Sequence, residues 1–325
     1  MSKSVVPVVI GSLILLAAVA VSVWHEWRTA SAADLRAAVG AEVVDAAADR
    51  TDLVPDGRFV RVVGETRAAG PVQEPALGRT FQVLRLDREV ETAQWQERQI
   101  ITQGGRDLVY ELVWSAVRID STRFRDAGGA HPNPPLRLAS ASLVAPSPML
   151  GAWQAEPLLW LALPATDPVA LPERLEVAGI GTVARAGEWW WSGNPDRPAP
   201  GDIRLRYRSV PFGLATMIGR AEAGTLRAPV DGKEAVLALA GQGDVAAATL
   251  LGTVGASATL EAWKLRALLL AASLLGGCIL AFGLKRGGVG VAAGLSGGGA
   301  LTGLLLGSSI WLVVSVTAWL LFRLR

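Results

Sequence analysis

Long uncharged apolar runs lie at both ends of this chain, and a segment of mixed polarity lies between them. The first run, residues 5–23, has 19 residues without a charge, close to the ~20 residues of one bilayer crossing. Trp24 and Trp27 follow, where aromatic side chains typically contact the membrane interface. We therefore predict an N-terminal transmembrane helix over residues 1–25. The alternative is a cleaved signal peptide, since the Ala-Ser-Ala at residues 30–32 resembles a cleavage site.

The apolar sequence near the C-terminus predicts three more spans. An uncharged run at 267–284 predicts a second transmembrane helix over 264–286. The 36 uncharged residues of 287–322 fit two short spans, which makes 287–325 a Gly-rich transmembrane hairpin with a short cytoplasmic tail. Lys and Arg at 285–286 and in the tail favour the cytoplasmic side. Both termini are then cytoplasmic, and the large intervening domain lies on the periplasmic or lumenal side.

The third predicted span contains glycines spaced by four, which lets helix backbones approach closely. The predicted helix-packing glycines are Gly290, Gly294, Gly298, Gly299, Gly303 and Gly307. They favour packing within the protein's own bundle or an oligomerisation face. Because the apolar runs 5–23, 267–284 and 287–322 contain no Asp, Glu, Lys, Arg or His, the pattern disfavours an ion-coupled transporter.

Polar and apolar residues between the spans predict a short helix followed by a β-rich domain. Leu35 and Val39 recur at helical spacing, and Pro55-Asp56-Gly57 predicts a turn, so residues 26–57 form a juxtamembrane helix and turn. Residues 58–263 form the β-rich domain. Its predicted strands, with period-two or β-rich sequence, lie at 59–63, 81–91, 108–119 and 203–207.

Helical character returns at 149–163 and over 233–264. A weak similarity between 62–75 and 217–229 suggests two related strand–turn–strand units, possible OB-like units, although chance similarity explains it almost as well. The predicted fold class is therefore an α+β membrane protein. It has a β-rich extramembrane domain and four transmembrane helices, one N-terminal and three C-terminal.

The distribution of charge agrees with this layout. The mean hydropathy is +0.35, and all 29 acidic residues lie between Glu26 and Glu261. Residues 26–264 carry 25 basic and 29 acidic residues, a net charge of −4, whereas the apolar ends carry six basic residues, +6. This pattern argues against a cytosolic enzyme, a nucleic-acid-binding protein and a disordered scaffold. The single cysteine, Cys278, excludes an intramolecular disulfide.

Three groups of residues could carry chemistry. Asp87, Glu89 and Glu91 share one strand face, as an acid/base set or, more simply, as a charge-paired face. A Ser-His-Asp hydrolase would need His131 or His25, and no nucleophile-elbow sequence is present. The tryptophans at 189–191 fit either a partner or lipid-headgroup surface or a strand core. We predict no catalytic, cofactor-binding or metal-binding residues, and no cofactor.

Four segments resemble the transmembrane protein 43 (LUMA) family. The first segment, 86–97, contains Arg88, Glu89, Val90, Glu91, Gln94, Trp95 and Glu97, and the second, 110–134, extends from Tyr110-Glu111-Leu112-Val113-Trp114 to His131-Pro132-Asn133-Pro134. The third, 192–205, contains Asn194-Pro195 and Gly201-Asp202-Ile203-Arg204. The fourth, 263–267, lies at the start of the second span. Each motif is weak alone. Their order and spacing make the combination specific over nearly the whole chain.

The resemblance implies a multi-pass protein that organises membrane protein complexes without catalysis and self-associates. High Ala, Gly and Arg content is typical of a bacterial member, which places the protein in the inner membrane. A eukaryotic member would lie in the endoplasmic reticulum and inner nuclear membrane. The expected partners are the lipid bilayer, a second copy and unidentified membrane or envelope proteins, with no nucleic acid.

The candidate family-motif and interaction residues are Glu91, Trp95, Glu97, Trp114, Asn133, Pro134, Asn194, Pro195, Gly201, Asp202 and Arg204. Asn-Pro and Gly-Asp pairs also form turns, and Trp also fills cores. The alternative function is an oligomeric channel or lipid-handling protein, and an envelope hydrolase ranks last. The compact final hairpin and very short C-terminal tail depart from the eukaryotic pattern of the family.

Overall fold

The computed structural model describes residues 5–102, 105–126, 129–230, 236–286 and 308–317. Two long helices, a β-rich domain and two short helices make up this part of the chain. The helices are α1 (Val5–Glu42), α2 (Pro157–Ala162), α3 (Ala247–Arg286) and α4 (Ser308–Thr317). A single 3-10 turn occupies Ser121–Arg123.

The helix α1 continues from the predicted membrane span into the predicted juxtamembrane helix without a break at residue 25. Its 38 residues extend over about 57 Å at ~1.5 Å per residue, against a hydrocarbon core of about 30 Å. The helix is Ala-rich, and its one proline, Pro7, lies in the first turn, where the missing N–H costs no hydrogen bond. One helix therefore serves as both membrane span and connection to the β domain.

The helix α3 packs antiparallel against α1. Gly11 lies against Leu280, Glu26 binds Arg266, and Gly40 lies against the side chain of Leu251. The residue numbers of each pair add up to 291 or 292, so the two helices keep one register from the apolar spans to the β domain.

A seven-stranded sheet receives these helices. Its strand order is β1 (Val44–Ala46), β2 (Phe59–Arg67), β8 (Met149–Leu150), β9 (Trp153–Ala155), β16 (Thr225–Arg227), β15 (Leu214–Glu222) and β17 (Leu239–Gln242). Because β2 also pairs with β15, the path from β2 through β8, β9, β16 and β15 returns to β2.

An eight-stranded antiparallel sheet carries most of the family motifs. Its main path is β11 (Arg174–Val177), β12 (Gly181–Ala186), β13 (Trp189–Trp191), β14 (Ile203–Val210), β5 (Arg85–Thr102) and β6 (Gly105–Ser115). Two short strands pair beside this path, β10 (Asp167–Pro168) with β14 and β7 (Ala141–Val144) with β5. The strands β3 (Val72–Glu74) and β4 (Arg79–Phe81) form a separate pair.

Buried apolar residues join the helices to the β domain. Leu35 and Val39 of α1 and Leu250 of α3 share a core cluster with Phe59 of β2 and Ile218 of β15. Val39 and Ile218 are fully buried. Because this cluster lies where both helices meet the seven-stranded sheet, the β domain is attached to the helix pair at two points instead of hanging from one linker.

Two helices of the described residues, Val6–Glu42 and Trp263–Leu284, are long and apolar enough to cross a membrane. The structure thus supports two of the four predicted spans. The predicted hairpin over 287–325 falls outside the described residues except for α4, which has only ten residues. All six predicted helix-packing glycines, at 290–307, also fall outside them.

Several local predictions were wrong in part. The predicted helix over 233–264 contains strand β17 and becomes helical only at Ala247, and 149–163 holds two short strands before α2. The predicted strand 108–119 ends at Ser115. The two proposed OB-like units do not match each other, because β15 forms a hairpin with β16 whereas β2 pairs with β8 and with β15 itself.

Candidate interaction surface

Acidic and basic side chains alternate in register across the outer face of the eight-stranded sheet. On β14, Ile203, Leu205 and Tyr207 point into the core, so the arginines between them point outward. Arg204 lies opposite Glu91 and Arg206 lies opposite Glu89 on β5. In both pairs the arginine Nε lies 2.6 Å from a carboxylate Oε2. The acidic strand face of the sequence is therefore charge-paired, mainly by arginines 113–117 residues away.

Three tryptophans surround the guanidinium of Arg204. Its Cζ lies 4.8 Å from the ring centre of Trp114, 4.7 Å from that of Trp189 and 5.5 Å from that of Trp191. The rings of Trp114 and Trp191 meet edge to face at 5.1 Å. Guanidinium groups bind aromatic faces at such distances, and Glu91 supplies the counter-charge, so Arg204 is held on all these sides.

The charged network continues along β14 from Arg204. The guanidinium of Arg206 lies 4.6 Å from the ring centre of Trp189, and its hydrogen bond with Glu89 raises its pKa above the ordinary value. The carboxylate of Glu188 then bridges Arg206 and Arg208, at 3.3 and 3.2 Å. We call this outer surface of β5, β6, β13 and β14 the Trp–Arg face. It is formed by Glu89, Glu91, Trp114, Glu188, Trp189, Trp191, Arg204, Arg206 and Arg208.

Trp189 and Trp191 are half-buried on the Trp–Arg face, whereas Trp190 points into the core with 3% exposure. Both interpretations of the tryptophan triplet are thus correct for different members of it. Tryptophan and arginine are the residue types that most often dominate binding energy in protein interfaces. The Trp–Arg face has the composition of an interaction surface and is already ordered by its own ion pairs.

Asn133 fixes the long loop after β6 against β5. Its side-chain Oδ1 accepts a bond from the backbone N of Trp95 at 2.6 Å, and its Nδ2 donates to the O of Trp95 at 2.9 Å and to the O of Ile119 at 3.2 Å. The side-chain amide of Asn133 thus makes the two hydrogen bonds to Trp95 that a paired strand would make, at a position of β5 beyond the end of β14. Its role is to position the loop.

Pro134, Gly201 and Asp202 form a close-packed corner beside Asn133. Gly201 has φ +92°, and a Cβ there would lie 2.9 Å from Cγ of Pro134, so only glycine fits. The carboxylate of Asp202 accepts a hydrogen bond from the N–H of Ala199 at 2.8 Å. It also occupies the space that a side chain at Gly193 would need.

Asn194 and Pro195 form the exposed turn next to this corner, in which Oδ1 of Asn194 accepts the N–H of Asp196 at 2.9 Å. The motif residues of the third segment therefore build turns and close contacts.

Glu97 and His131 belong to an aromatic cluster on the projecting part of the β5–β6 hairpin. Tyr110 donates its O–H to Glu97 at 2.8 Å, and the ring of His131 stacks on Tyr110 at 4.1 Å. Burial, the bond to Glu97 and its charge raise the pKa of Tyr110 to about 12. His131 also contacts the edge of Trp95, and its Nδ1 lies 3.2 Å from Asp126. These partners of His131 are an acid and two aromatic rings, none of them an activated nucleophile.

The structure brings most of the predicted site residues to neighbouring parts of one sheet. Glu91, Trp114 and Arg204 lie on the Trp–Arg face, and Glu97 lies on the β5–β6 hairpin. The corner contains Trp95, Asn133, Pro134, Gly201 and Asp202. Gln94 belongs to the first motif but was not among the candidate interaction residues. It is fully buried, and its amide binds the O of Val117 at 3.0 Å and the N of Ile119 at 2.8 Å, a loop-fixing role that the sequence did not predict.

The model of the family described as Transmembrane protein 43 matches residues 89–324, which include both the Trp–Arg face and the second span. The chain belongs to the transmembrane protein 43 family. A protein of Rattus norvegicus named Transmembrane protein 43 is 25% identical over 232 residues, covering 65% of this chain and 57% of the rat protein. The chain thus spans less than two thirds of that relative's length. No solved structure matches the chain.

The family match confirms the resemblance found in the sequence and identifies a membrane protein. The name of the family denotes no enzymatic activity. The two apolar helices agree with a membrane location.

Proposed function

We propose that the protein is a non-enzymatic membrane scaffold whose extramembrane domain binds other membrane or envelope proteins through the Trp–Arg face. The observation that carries the proposal is the cage of Trp114, Trp189 and Trp191 around Arg204. It combines the two residue types that dominate protein interfaces with a geometry that is ordered before any partner binds. Preorganised side chains lose little conformational entropy on binding, which favours a recognition surface.

The attachment of the β domain to the helix pair supports a positioning role. Leu35, Val39 and Leu250 from both helices pack into the same cluster as Phe59 and Ile218 of the sheet. A domain held by two packed helices presents its surface at a fixed height and direction above the bilayer. A scaffold needs this property, whereas a soluble enzyme on a flexible tether does not.

The acidic residues support a structural role over catalysis. Glu89 and Glu91 each bind an arginine, and Asp87 binds Arg85 at 2.9 Å. A general acid or base must reach the proton of a substrate, and these three carboxylates are already bound by arginine side chains. We place the domain on the periplasmic side with both termini in the cytoplasm, on the grounds of the basic residues that flank the spans.

Charge reversal at the edge of the Trp–Arg face tests this function. We would purify the full chain from its native membranes and quantify co-purifying proteins for the wild type, Arg208→Glu and the control Arg50→Glu. Both arginines are surface residues, with 36% and 54% exposed side chains, but Arg50 pairs locally with Asp52 far from β14 in the sequence. We expect a specific set of proteins to be lost only in Arg208→Glu. An unchanged set in Arg208→Glu contradicts the proposed function.

A further inference from the structure

The strand β6 leaves one long edge of the eight-stranded sheet open. It is the last strand of the main path, and its 11 residues pair only with β5 among the described residues. The contacts of the following loop fall on β5, through Gln94 and Trp95, and on the ring of Tyr110. Unpaired backbone groups along an edge of this length form a template for another strand.

The backbone groups that face outward on β6 can be assigned. Both N–H and C=O of Trp95 bind Asn133, so they point away from β6, and the opposite residue Leu112 therefore belongs to a non-hydrogen-bonded pair. The N–H and C=O of Leu112 then point away from β5. Because the direction alternates along a strand, those of Leu108 and Tyr110 also point outward.

The sequence of this edge lacks the usual protection against strand addition. Proteins protect edges with lysine, proline or bulges, and residues 108–114 contain none of these and only one charge, Glu111. That charge already pairs with Arg98 of the same hairpin at 3.4 Å. Leu108 is 37% exposed. Such an edge is typical of a strand that is covered in the assembled protein.

We propose that β6 pairs antiparallel with β6 of a second copy of this chain, centred on Tyr110. This deepens the scaffold function, on which it rests, by naming a second copy as one partner. The choice of a second copy follows from self-complementarity, because in this register all 11 residues of β6 find a partner. Leu108 lies opposite Leu112, Asp107 opposite Val113 and Glu111 opposite Val109, so no like charges lie directly opposite each other.

Neighbouring registers are less favourable. Outward-facing residues must pair with outward-facing residues, so the register can change only in steps of two residue numbers. A shift that makes Leu108 pair with Tyr110 of the second copy sets Asp107 of each copy opposite Glu111 of the other. The opposite shift, which makes Tyr110 pair with Leu112, sets the two copies of Glu111 opposite each other. Like charges directly opposite each other destabilise a sheet. The charges of β6 therefore select the Tyr110-centred register.

A proline substitution tests the edge without removing β6. Leu108→Pro deletes an N–H that only a second copy would use, whereas the matched control Leu108→Ala keeps this N–H and also shortens the side chain. We would measure the mass of the detergent-solubilised full chain. We expect a dimer for the wild type and Leu108→Ala, and a folded monomer for Leu108→Pro whose circular-dichroism spectrum matches that of the wild type. A monomeric wild type, or a dimer that survives Leu108→Pro, overturns the proposal.

Cysteine cross-linking tests the register in case Leu108→Pro fails to fold. In a Cys278→Ala background, Val109→Cys combined with Glu111→Cys places thiols at opposite positions whose Cα atoms are about 4.5 Å apart, within disulfide reach. We expect a covalent dimer on oxidation. In the control Asp107→Cys, the two cysteines of the dimer lie about 20 Å apart, so no covalent dimer should form. A covalent dimer from Asp107→Cys, or none from the paired cysteines, contradicts the register.

These outcomes are separable from the test of the scaffold function. Protein capture through the Trp–Arg face is measured on Leu108→Pro as well as on the wild type. Retained capture by a monomeric Leu108→Pro supports self-pairing at β6 as a separate contact. Loss of capture in Arg208→Glu combined with a monomeric wild type would overturn the self-pairing and leave the scaffold function standing.

Discussion

The α1–α3 pair and the motif corner around Asn133 are held together by opposite means. In the helix pair, close contact depends on missing side chains: a Cβ on Gly11 would lie 2.5 Å from the backbone N of Leu280, and one on Gly283 would lie 2.7 Å from that of Val8. In the motif corner, one polar side chain, Asn133, supplies three hydrogen bonds to backbone groups. The first region excludes substituents, and the second depends on a particular donor and acceptor.

This difference follows from the surrounding solvent. Between helices in lipid, burial of apolar surface gives no driving force, so small residues that allow close packing decide where helices meet. Beside the sheet, a backbone group removed from water without a partner costs about 1–3 kcal/mol, so polar side chains decide where the loop lies. Membrane-embedded and extramembrane contacts therefore have different sequence signatures within one chain.

The largest expected change in the free energy of unfolding comes from the ion pair between α1 and α3. Glu26 and Arg266 form a two-bond ion pair at 2.7 and 2.8 Å, with side chains only 6% and 18% exposed. Glu26→Ala leaves the arginine buried without its acid and should destabilise the full chain in detergent by about 3–5 kcal/mol. The double variant Glu26→Gln with Arg266→Gln removes both charges and should recover most of this loss. Equal losses in the single and double variants would show that the pair is not coupled.

Glycine substitution compares a crowded with an open site in the two helices. Gly11→Ala forces the backbones of α1 and α3 apart and should destabilise the pair by about 1–3 kcal/mol. Gly252→Ala is the control, because nothing lies within 4 Å of its added Cβ and alanine favours a helix over glycine by about 0.5–1 kcal/mol. Unfolding midpoints in detergent should therefore move in opposite directions. A shift of the same sign at both sites would contradict the packing described for α1 and α3.

Removal of the Asn133 amide tests the motif corner. Asn133→Ala deprives the backbone of Trp95 of its partners and should cost about 2 kcal/mol, with faster hydrogen exchange at the Trp95 amide. Asn194→Ala removes an exposed turn bond to Asp196 and should cost less than 1 kcal/mol. Similar costs for the two variants would mean that Asn133 has no special role in fixing the loop.

The smallest effect concerns the ionisation of the two tyrosines. Burial and the bond to Glu97 raise the pKa of Tyr110 to about 12, and burial and the charge of Glu74 also raise the pKa of Tyr207 above its ordinary value. Because the neutral phenol is favoured in the folded protein, this contribution to stability is complete below pH ~10 and is lost as the pH rises toward 12. The absorbance at 295 nm of the folded chain should show no tyrosinate at pH 10. Ionisation of one tyrosine near pH 10 that disappears in Tyr110→Phe would contradict the packing of Tyr110.

Local patterns in the sequence predicted the elements that depend on local periodicity. Alternation placed the strand at 203–207 within β14, and apolar length placed the two spans that the structure describes. The meeting of Glu26 with Arg266, 240 residues apart, has no local signature. The same holds for the Arg204 cage, whose tryptophans come from β6 and β13. Glycine spacing drew attention to 290–307, whereas the close contacts of the described helices involve Gly276 and Gly283, seven residues apart on α3, and Gly11 on α1.

Site-specific photo-cross-linking is the most direct test of the Trp–Arg face as a partner surface. A photoreactive amino acid at position 188, between Arg206 and Arg208, is compared with one at position 52, where the native side chains are 70% and 67% exposed. The proposed function predicts that illumination of native membranes gives a discrete cross-linked protein from position 188 and none of it from position 52. Identical products from both positions, or no product from position 188, would contradict it.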